Sequence, residues 1–476
     1  MSGTTAAHAA LSNLRKAAFI SIFAAFAAAS LVPSGRARAQ TAAPADPPSV
    51  VIILTDDQRW DTLDAMPTVQ AQLVQHGVRF DNAFVSNSLC CPSRSSILTG
   101  LYSHSTGVWR NQPPFGGWSS FDDSSTMATW LQGAGYHTGL FGKYLNGYWD
   151  GAAVGYVPPG WDRWVAFSQS EYYNYDLSVD GALRSYGSAP GDYSTDVLAS
   201  ETTSFIRSTA GPLFVYFTPF APHNPATPSA AHTGDFSDLA PWRPASYDEA
   251  DMSDKPAWAR RLELWNAGKQ AGKDAFRLDQ YRSLQSVDES VGQIVQALAD
   301  TGRLSDTMIV FMSDNGLLWG EHRWGTKRVA FEEAIRIPMV IRFDPLTSVG
   351  GTESRIALNI DVAPTVFDLA GVRGPSVDGV SLLPLLSGGA TSWRQDFLLE
   401  HLEKTRDRLP TYCGVRSEQY TYVYYITGEE ELYDLKRDPS EMKNLAGVPK
   451  YAAVQAAMRS RTAQLCNPPP PGLVLP

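Results

Sequence analysis

The chain has 476 residues, of which 43% are hydrophobic and 18% are charged, and its formal net charge is −10. This composition is that of a globular protein and excludes an intrinsically disordered chain, and the length is enough for a large domain and a smaller one. The acidic balance argues against nucleic acid or an anionic membrane as the main partner, because both require a basic face.

Residues 1–39 are predicted to be an export signal. Arg15 and Lys16 precede an apolar stretch over residues 17–32, and Ala37-Arg38-Ala39 supplies the small residues of a cleavage site. The alternative, a membrane anchor, requires about 20 consecutive apolar residues, which neither this stretch nor any later segment provides. We expect cleavage after Ala39, no stable membrane insertion, and a protein that is exported to the periplasm or secreted.

Short apolar strands alternate with helical segments over residues 49–389, which we predict to form the larger domain. Continuous apolar runs predict strands over 50–54, 137–141, 213–217, 308–312 and 337–343. Helical spacing predicts helices over 66–76, 126–133, 195–206 and 276–298. The expected N-caps of the last three helices are Ser125, Ser194 and Asp274. The alternation predicts an α/β fold in which helices sandwich a large, mainly parallel sheet, with residues 226–274 as a long loop beside it.

Residues 390–476 are predicted to form a smaller C-terminal subdomain with an antiparallel sheet. Three short β-rich segments, over 412–416, 420–426 and 431–435, predict a meander, and a helix is expected near 451–465. Vicinal Cys90 and Cys91 can pair with each other only under strain. In an exported chain we expect a disulfide between Cys413 and Cys466, although the sequence alone leaves the pairing open.

Polar residues follow four of the predicted strands. These are Asp56-Asp57, Lys143, His223 and Asp314-Asn315. Ligands of open parallel sheets bind outside the carboxyl ends of the strands, so these side chains are expected to share one crevice. Each acidic pair alone is explained by a turn after a strand, but together they suit a hard cation, Ca²⁺ or Mg²⁺, which prefers oxygen ligands.

A cysteine motif lies between these acidic pairs in the chain. It reads Asn-Ser-Leu-Cys-Cys-Pro-Ser-Arg-Ser-Ser-Ile-Leu-Thr-Gly over residues 87–100. The proline and the apolar pattern after it predict a helix that begins near Pro92, and a helix N-terminus favours bound anions. Taken by itself, Cys90 is either a thiol nucleophile of lowered pKa or a simple buried cysteine.

With this motif the chain resembles the sulfatase family, whose core is Cys-x-Pro-Ser-Arg followed by Thr-Gly. The matching residues are Cys90, Pro92, Ser93, Arg94, Thr99 and Gly100. Further elements in family order are Asp56-Asp57, Gly142-Lys143, Pro222-His223-Asn224-Pro225, Asp314-Asn315-Gly316, Gly325-Thr326-Lys327 and Asp361-Val362-Ala363-Pro364-Thr365. The resemblance therefore covers nearly the whole chain after the export signal.

The resemblance implies a sulfuric ester hydrolase with a modified nucleophile. A formylglycine-generating enzyme would oxidise Cys90, and not Cys91, to an aldehyde whose hydrate attacks sulfur, after which the second hydroxyl expels sulfate. One divalent cation, Ca²⁺ with Mg²⁺ as the alternative, would be held by Asp56, Asp57, Asp314 and Asn315 together with the modified Cys90.

The resemblance also implies roles for four basic residues. Arg94 would support the hydrated aldehyde, Lys143 and Lys327 would bind sulfate oxygens, and His223 would protonate the leaving oxygen. Many arylsulfatases carry a histidine two residues after the lysine of the Gly-Lys element, where this chain has Leu145. The group that replaces this histidine is left open by the sequence.

Within the family the chain looks most like the N-acetylglucosamine-6-sulfatases. This likeness lies in residues 85–107, 142–146, 172–175 and 193–196. It implies a sulfated carbohydrate such as N-acetylglucosamine 6-sulfate as substrate. The alternatives are an arylsulfatase, a phosphonate monoester hydrolase with the same nucleophile, and a protein that binds sulfated glycans without catalysis.

Overall fold

The structure is a computed structural model that describes residues 47–151, 155–347, 349–403 and 409–476. The predicted export signal and its cleavage site lie outside the described residues. In the part of the chain that is described, no helix has both the length and the apolar character needed to cross a membrane.

Ten strands form one large sheet. In chain order they are β1 Ser49–Thr55, β2 Val78–Phe80, β4 His137–Gly142, β5 Arg163–Phe167, β6 Asp176–Val179, β7 Ala182–Ser185, β8 Leu213–Thr218, β9 Thr307–Ser313, β10 Met339–Arg342 and β11 Gly351–Glu353, while β3 Ala83–Phe84 and β12 Ala357–Leu358 form a separate pair. The order across the sheet is β11-β2-β10-β9-β1-β8-β4-β5-β6-β7. The predicted mainly parallel sheet is confirmed.

The centre of the sheet is parallel and fully buried. Strand β1 lies between β8 and β9, with Val51 opposite Val215 on one side and Ile309 on the other. Strand β4 pairs in parallel with β8 and β5, whereas β10 runs antiparallel to both β9 and β2. All seven residues of β1 and of β9 are buried, which explains why their sequences are continuous apolar runs.

Helices cover both faces of this sheet. The longer ones are α1 Cys90–Thr99, α2 Met127–Gly133, α3 Ser194–Ser208, α4 Ala267–Asp300, α5 Val362–Ala370 and α6 Ala452–Leu465. The short α-helical segments are Pro67–Val69, Ser103–Thr106, Tyr148–Gly151, Ala257–Arg260, Glu332–Ile335, Asp344–Thr347 and Leu383–Leu386. A π-helical turn spans Gln70–Val74, and 3₁₀ turns span Trp60–Ala65, Trp118–Ser120, Pro190–Asp192, Ala230–His232, Leu304–Asp306, Asn359–Asp361 and Pro449–Tyr451.

Alternate residues of β1 enter two different cores. Val50, Ile52 and Leu54 pack with residues of α1, α2 and α5, whereas Val51 and Ile53 pack with residues of α3 and α4. This division follows from the two-residue period of a strand, which sends successive side chains to opposite faces. The helices therefore sandwich the sheet, as the sequence predicts.

A second sheet is formed near the C-terminus. Its antiparallel strands are β13 Asp396–His401, β14 Tyr412–Ser417, β15 Tyr420–Tyr425 and β16 Glu430–Asp434. The predicted antiparallel C-terminal sheet is confirmed, with β13 as a strand beyond the three predicted ones. A disulfide joins Cys413 of β14 to Cys466 just after α6, with Cα atoms 6.4 Å apart. The domain boundary near residue 390 stays a prediction.

All three predicted N-caps, Asp274, Ser125 and Ser194, are wrong. Helix α4 begins at Ala267, well before Asp274, because the Asn266 side chain accepts a hydrogen bond from the amide of Lys269 at 2.9 Å. Helix α2 is preceded by Thr126 and not by Ser125, and the Thr126 amide donates to the Thr129 hydroxyl at 2.9 Å. The long helix thus takes up part of the segment that was predicted to be loop.

The observed starts of α3 and α1, and the helix predicted over 66–76, also differ from the prediction. Ser194 is the first residue of α3, and its buried hydroxyl has no hydrogen-bond partner among the described residues, so it does not cap the helix. Helix α1 begins at Cys90, two residues before Pro92. The helix predicted over 66–76 is divided into a short α-helical turn and a π-helical turn, Gln70–Val74.

The carboxyl group of Glu333 lies in an environment that disfavours its charge. Its Oε2 atom is buried and has no hydrogen-bond partner among the residues that the structure describes. Burial, and after it the neighbouring carboxylate of Glu321, raise the pKa of Glu333 to about 8, although Arg59 opposes the shift. Because the folded-state pKa lies above the ordinary value of 4.5, protonated Glu333 stabilises the fold at low pH, and this stability is lost as the pH rises toward 8.

We therefore expect Glu333→Gln to change the pH dependence of unfolding. The amide stays neutral, so the midpoint of thermal unfolding of the variant relative to the unaltered protein should rise by roughly 2 to 4 °C between pH 5 and pH 9. Differential scanning calorimetry at both pH values measures this change. Glu418→Gln, at an exposed position, is the matched control and should show no such rise. An equal difference in midpoint at both pH values for Glu333→Gln would contradict the assignment.

Candidate active site

The polar residues that follow the central strands meet at one edge of the sheet. Strands β9, β1, β8 and β4 are neighbours and run parallel, so their carboxyl ends point the same way. Asp56 follows β1, Asp314 follows β9 and Lys143 follows β4 without an intervening residue. His223 comes five residues after β8, in the loop that continues from it. The expected common crevice is therefore present.

Three carboxylates form a buried acidic cluster in this crevice. Single oxygens of Asp56, Asp57 and Asp314 lie within 4.8 Å of one another. Asn315 donates through Nδ2 to Asp57 Oδ1 at 2.6 Å, and its own Oδ1 is buried with no hydrogen-bond partner in the described part of the chain. Three carboxylates and the side-chain amide of Asn315 thus meet in one small volume. This donor set fits a hard divalent cation such as Ca²⁺ or Mg²⁺.

Three basic side chains neutralise the carboxylates in this structure. Lys143 forms an ion pair with Asp56, and Lys327 forms one with Asp57. Arg94 donates through Nε to Asp314 Oδ2 at 2.7 Å, and its Nη2 lies 3.5 Å from Asp56 Oδ2. All six charged groups are buried, so each carboxylate is matched by a cation in a region with little water.

The two carboxylates beside Arg94 have pKa values shifted in opposite directions. Burial alone would raise the pKa of Asp56, but the charges of Lys143, Arg94 and Lys327 outweigh it and hold this pKa far below its ordinary value. Burial and the negative charge of Asp56 raise the pKa of Asp314. Asp56 is therefore the strongly ionised member of the pair, and the cations are arranged around it.

Cys90 lies at the N-terminus of helix α1, against the charged cluster. Its Sγ is 2.6 Å from Lys327 Nζ and 3.6 Å from Asp56 Oδ1, and the residue is 1% exposed. Burial raises the pKa of the Cys90 thiol to about 12, although Lys143 and Lys327 oppose the shift. The encoded thiol is therefore protonated at neutral pH and is not the thiolate that would make it a nucleophile of lowered pKa.

His223 is held with one ring nitrogen toward the cluster. Its Nε2 is 3.8 Å from Asp57 Oδ2, and its Nδ1 is 2.8 Å from the carbonyl oxygen of Asn224. Because a carbonyl only accepts hydrogen bonds, Nδ1 carries a proton, and Nε2 is the nitrogen that exchanges one with the site. The Tyr172 hydroxyl donates to the His223 carbonyl at 2.7 Å and fixes the loop.

A cleft of about 890 Å³ opens next to Lys143 and His223. Its walls carry neutral polar groups, aromatic rings and two carboxylates. The residues that line it include Asn111, Gln112, Trp118, Asn146, Trp149, Asp150, Ser168, Gln169, Ser170, Glu171, Phe220 and Asn224. Leu145, which stands where many arylsulfatases have histidine, is largely buried, and both it and Asn146 line the cleft.

The structure brings together every site residue that the sequence predicts. They are Asp56, Asp57, Cys90, Arg94, Lys143, His223, Asp314, Asn315 and Lys327, joined by the contacts above. Asn111 was not predicted, although its Oδ1 accepts a hydrogen bond from the Cys91 amide at 2.9 Å. It lies in a loop without periodicity, and no signal in the sequence distinguishes it from other loop asparagines.

The site defines a class of enzyme that cleaves esters of strong acids. A buried acidic cluster that fits a divalent cation lies beside Cys90, two lysines and a histidine, which suits a reaction in which negative charge must be neutralised. The chain belongs to the sulfatase family and is a sulfuric ester hydrolase. The family model described as Sulfatase matches residues 48–372, and the one described as N-sulphoglucosamine sulphohydrolase, C-terminal, matches residues 320–467.

Three similar proteins are informative. N-acetylglucosamine-6-O-sulfatase of Bacteroides thetaiotaomicron is 30% identical over 489 residues, which cover 86% of this chain and 84% of that protein. N-acetylglucosamine-6-sulfatase of Capra hircus is 32% identical, with 84% and 80% covered. A protein solved in complex with its substrate, D-glucosamine-2-N,6-O-disulfate, is 26% identical with a TM-score of 0.78, and the match covers 89% of this chain and 98% of that one.

We expect Arg94→Met to destabilise the protein strongly when no divalent cation is present. The change leaves Asp314 and Asp56 buried with less compensating charge, and removal of one partner of a buried pair costs about 3 to 5 kcal/mol of unfolding free energy. Added Ca²⁺ should restore part of the loss. Denaturant unfolding with chelator and with Ca²⁺ measures both quantities.

Arg207→Met is the matched control for this measurement. Arg207 pairs with Asp300 at 3.2 Å, and both side chains are nearly half exposed. Loss of an exposed pair costs about 1 kcal/mol or less. If the two variants were equally stable, the ion pairs of Arg94 would not support the site.

Proposed function

We propose that the protein removes the 6-O-sulfate of N-acetylglucosamine, with a nucleophile made from Cys90. One observation carries the proposal: Cys90 Sγ lies at a helix N-terminus, 2.6 Å from Lys327 Nζ and 3.6 Å from Asp56 Oδ1, beside the acidic cluster. The names of the similar proteins support a glucosamine 6-sulfate as substrate. The predicted export signal over residues 1–39 supports a periplasmic or secreted enzyme.

The proposed modification of Cys90 removes a chemical difficulty. A buried thiol whose pKa is about 12 is a poor nucleophile at neutral pH, whereas a hydrated formylglycine supplies hydroxyl groups at the same position. Since Cys90 is 1% exposed, we propose that a formylglycine-generating enzyme oxidises it before the chain has folded. Cys91 is also buried, and its amide is held by Asn111.

We propose that Asp56, Asp57, Asp314 and Asn315 hold one divalent cation, Ca²⁺ or alternatively Mg²⁺, together with the modified Cys90. When bound, the cation supplies a Lewis acid that withdraws negative charge from a sulfate oxygen. The buried Oδ1 of Asn315 and the three clustered carboxylates support this assignment.

The basic residues are proposed to act on the sulfate and on the leaving oxygen. Lys143 and Lys327 bind sulfate oxygens. To do so, the ammonium group of each lysine gives up part of its contact with its carboxylate, Asp56 or Asp57. Arg94 keeps its contact with Asp314 and orients the group at position 90. His223 donates a proton from Nε2 to the leaving oxygen, because its Nδ1 is occupied by the Asn224 carbonyl.

We expect the mature enzyme to release sulfate from N-acetylglucosamine 6-sulfate faster than it cleaves a nitrophenyl sulfate or a phenyl phosphonate. The protein is produced with a formylglycine-generating enzyme, and kcat/KM is measured for all three compounds. Cys90→Ala should lower kcat by on the order of 10⁴-fold or more, and Cys91→Ala should keep most of the activity.

Peptide mapping by mass spectrometry accompanies these measurements. The expected result is an aldehyde at position 90 and an unmodified thiol at position 91. Strong phosphonate turnover without release of sulfate from the sugar would contradict the proposed substrate. An unmodified thiol at position 90, with retained binding of sulfated glycans, would instead favour a protein without catalytic activity.

We also expect the activity to depend on a divalent cation. Chelation should abolish hydrolysis and Ca²⁺ should restore it, because the carboxylates otherwise remain paired with the lysines. Ca²⁺ at 100 times its Kd should add about 2.7 kcal/mol to the unfolding free energy. Calorimetry gives this value, and metal analysis of the Asp57→Asn variant should show loss of the bound ion. Unchanged thermal stability and activity after complete removal of metal would contradict the site.

A further inference from the structure

The cleft beside the proposed catalytic residues carries negative charge as well as the positive charge of Lys143. Lys143 and His223 line the same cleft as the carboxylates of Asp150 and Glu171. Both acidic residues are exposed. Neither forms an ion pair with another residue that the structure describes. Their charges are therefore free to act on a molecule that occupies the cleft.

The remaining polar groups of the cleft are neutral. Asn111, Asn146 and Asn224 contribute amides, and the segment Ser168–Ser170 contributes two hydroxyls and one amide. Apart from Lys143 and His223, the described lining contains no basic side chain. Once a sulfate group is held beside Lys143, the rest of the sugar therefore meets a wall that is neutral or negative.

The nearby arginines do not add positive charge to the cleft. Arg110 precedes Asn111 in the chain, and Arg328 follows Lys327, yet neither lines the cleft. Both lie against the buried carboxylate of Glu403, with Arg328 Nη1 at 2.7 Å and Arg110 Nη2 at 3.5 Å. They are thus committed to an ion-pair cluster outside the sugar cleft.

We propose that Asp150 and Glu171 select among glucosamine 6-sulfates by charge, so that the enzyme accepts an acetylated or free amino group and disfavours a sulfated one. This inference rests on the proposed function and concerns the group that the sugar carries on its nitrogen. An N-sulfate adds a second negative charge to the sugar, and this charge must enter a cleft whose two unpaired carboxylates repel it. A protonated free amine is attracted by the same carboxylates.

The expected size of the effect follows from the exposure of both carboxylates. Two charges acting across a partly hydrated cleft should lower kcat/KM for the N-sulfated sugar roughly tenfold at low ionic strength. Salt screens charges that are exposed to solvent, since the Debye length is about 3 Å at 1 M and about 30 Å at 0.01 M. Selection by charge should therefore weaken with added salt, whereas selection by shape should not.

The test compares three substrates with the mature enzyme. They are glucosamine 6-sulfates whose nitrogen is acetylated, free or sulfated, and kcat/KM is measured for each at low and at high salt. We expect the ratio of acetylated to N-sulfated substrate to be roughly ten at low salt and to fall toward one at high salt. In Asp150→Asn/Glu171→Gln the low-salt ratio should also fall, and the free-amine sugar should lose its advantage.

A double variant with the same change in charge serves as the control. Asp238→Asn/Asp368→Asn alters two exposed carboxylates that do not line the cleft, so its substrate ratios should equal those of the unaltered enzyme. Ratios among substrates cancel any general loss of activity, and thermal unfolding verifies that both variants fold.

Two results would overturn the inference. One is equal or faster hydrolysis of the N-sulfated sugar at low salt. The other is a preference that neither salt nor the Asp150→Asn/Glu171→Gln change reduces, which would indicate selection by shape. If the enzyme hydrolyses none of the three sugars, the proposed function itself is overturned, and the inference with it.

Discussion

The balance of buried charge at the carboxyl edge of the sheet is the constraint on which the site depends. Asp56, Asp57 and Asp314 are removed from water, and each would be strongly disfavoured there alone. Arg94 and the two lysines compensate them. The same groups that we propose to bind a cation and a sulfate therefore also stabilise the folded crevice. Any change to one member of this network alters stability and the site together.

The backbone places these groups with little freedom. Gly142 ends strand β4 with φ of +126°, and a Cβ atom there would lie 2.0 Å from the carbonyl oxygen of Thr218. Only glycine fits so close to the neighbouring strand β8. The amide of Lys143 then donates to that same carbonyl at 2.8 Å. Because the backbone is fixed on both sides of the Gly-Lys bond, the lysine side chain enters the crevice toward Asp56.

The sequence predicted the parts of the site that depend on strand ends and on a specific motif. Buried parallel strands are continuous apolar runs, so the acidic pairs after β1 and β9 are visible as abrupt changes to polar residues. Asn111 and Glu171 lie in loops whose path is set by tertiary packing, and nothing in their local sequence indicates the cleft. The start of α4 was also missed, since the capping Asn266 stands before a stretch with weak apolar periodicity.

The two ends of the site differ in their exposure to water. The residues that we propose for hydrolysis are buried, and those that we propose for choosing the substrate are exposed. At the end where we propose that sulfate binds, Lys143 and Lys327 are buried, so their electrostatic interactions are strong and little affected by salt. At the sugar end, Asp150 and Glu171 are exposed, so each interaction is weaker and screened. If Asp150 and Glu171 select the sugar as we propose, their substitution changes which sugars are accepted without disturbing the buried charges. The proposed catalytic groups are thus separate from the proposed determinants of specificity.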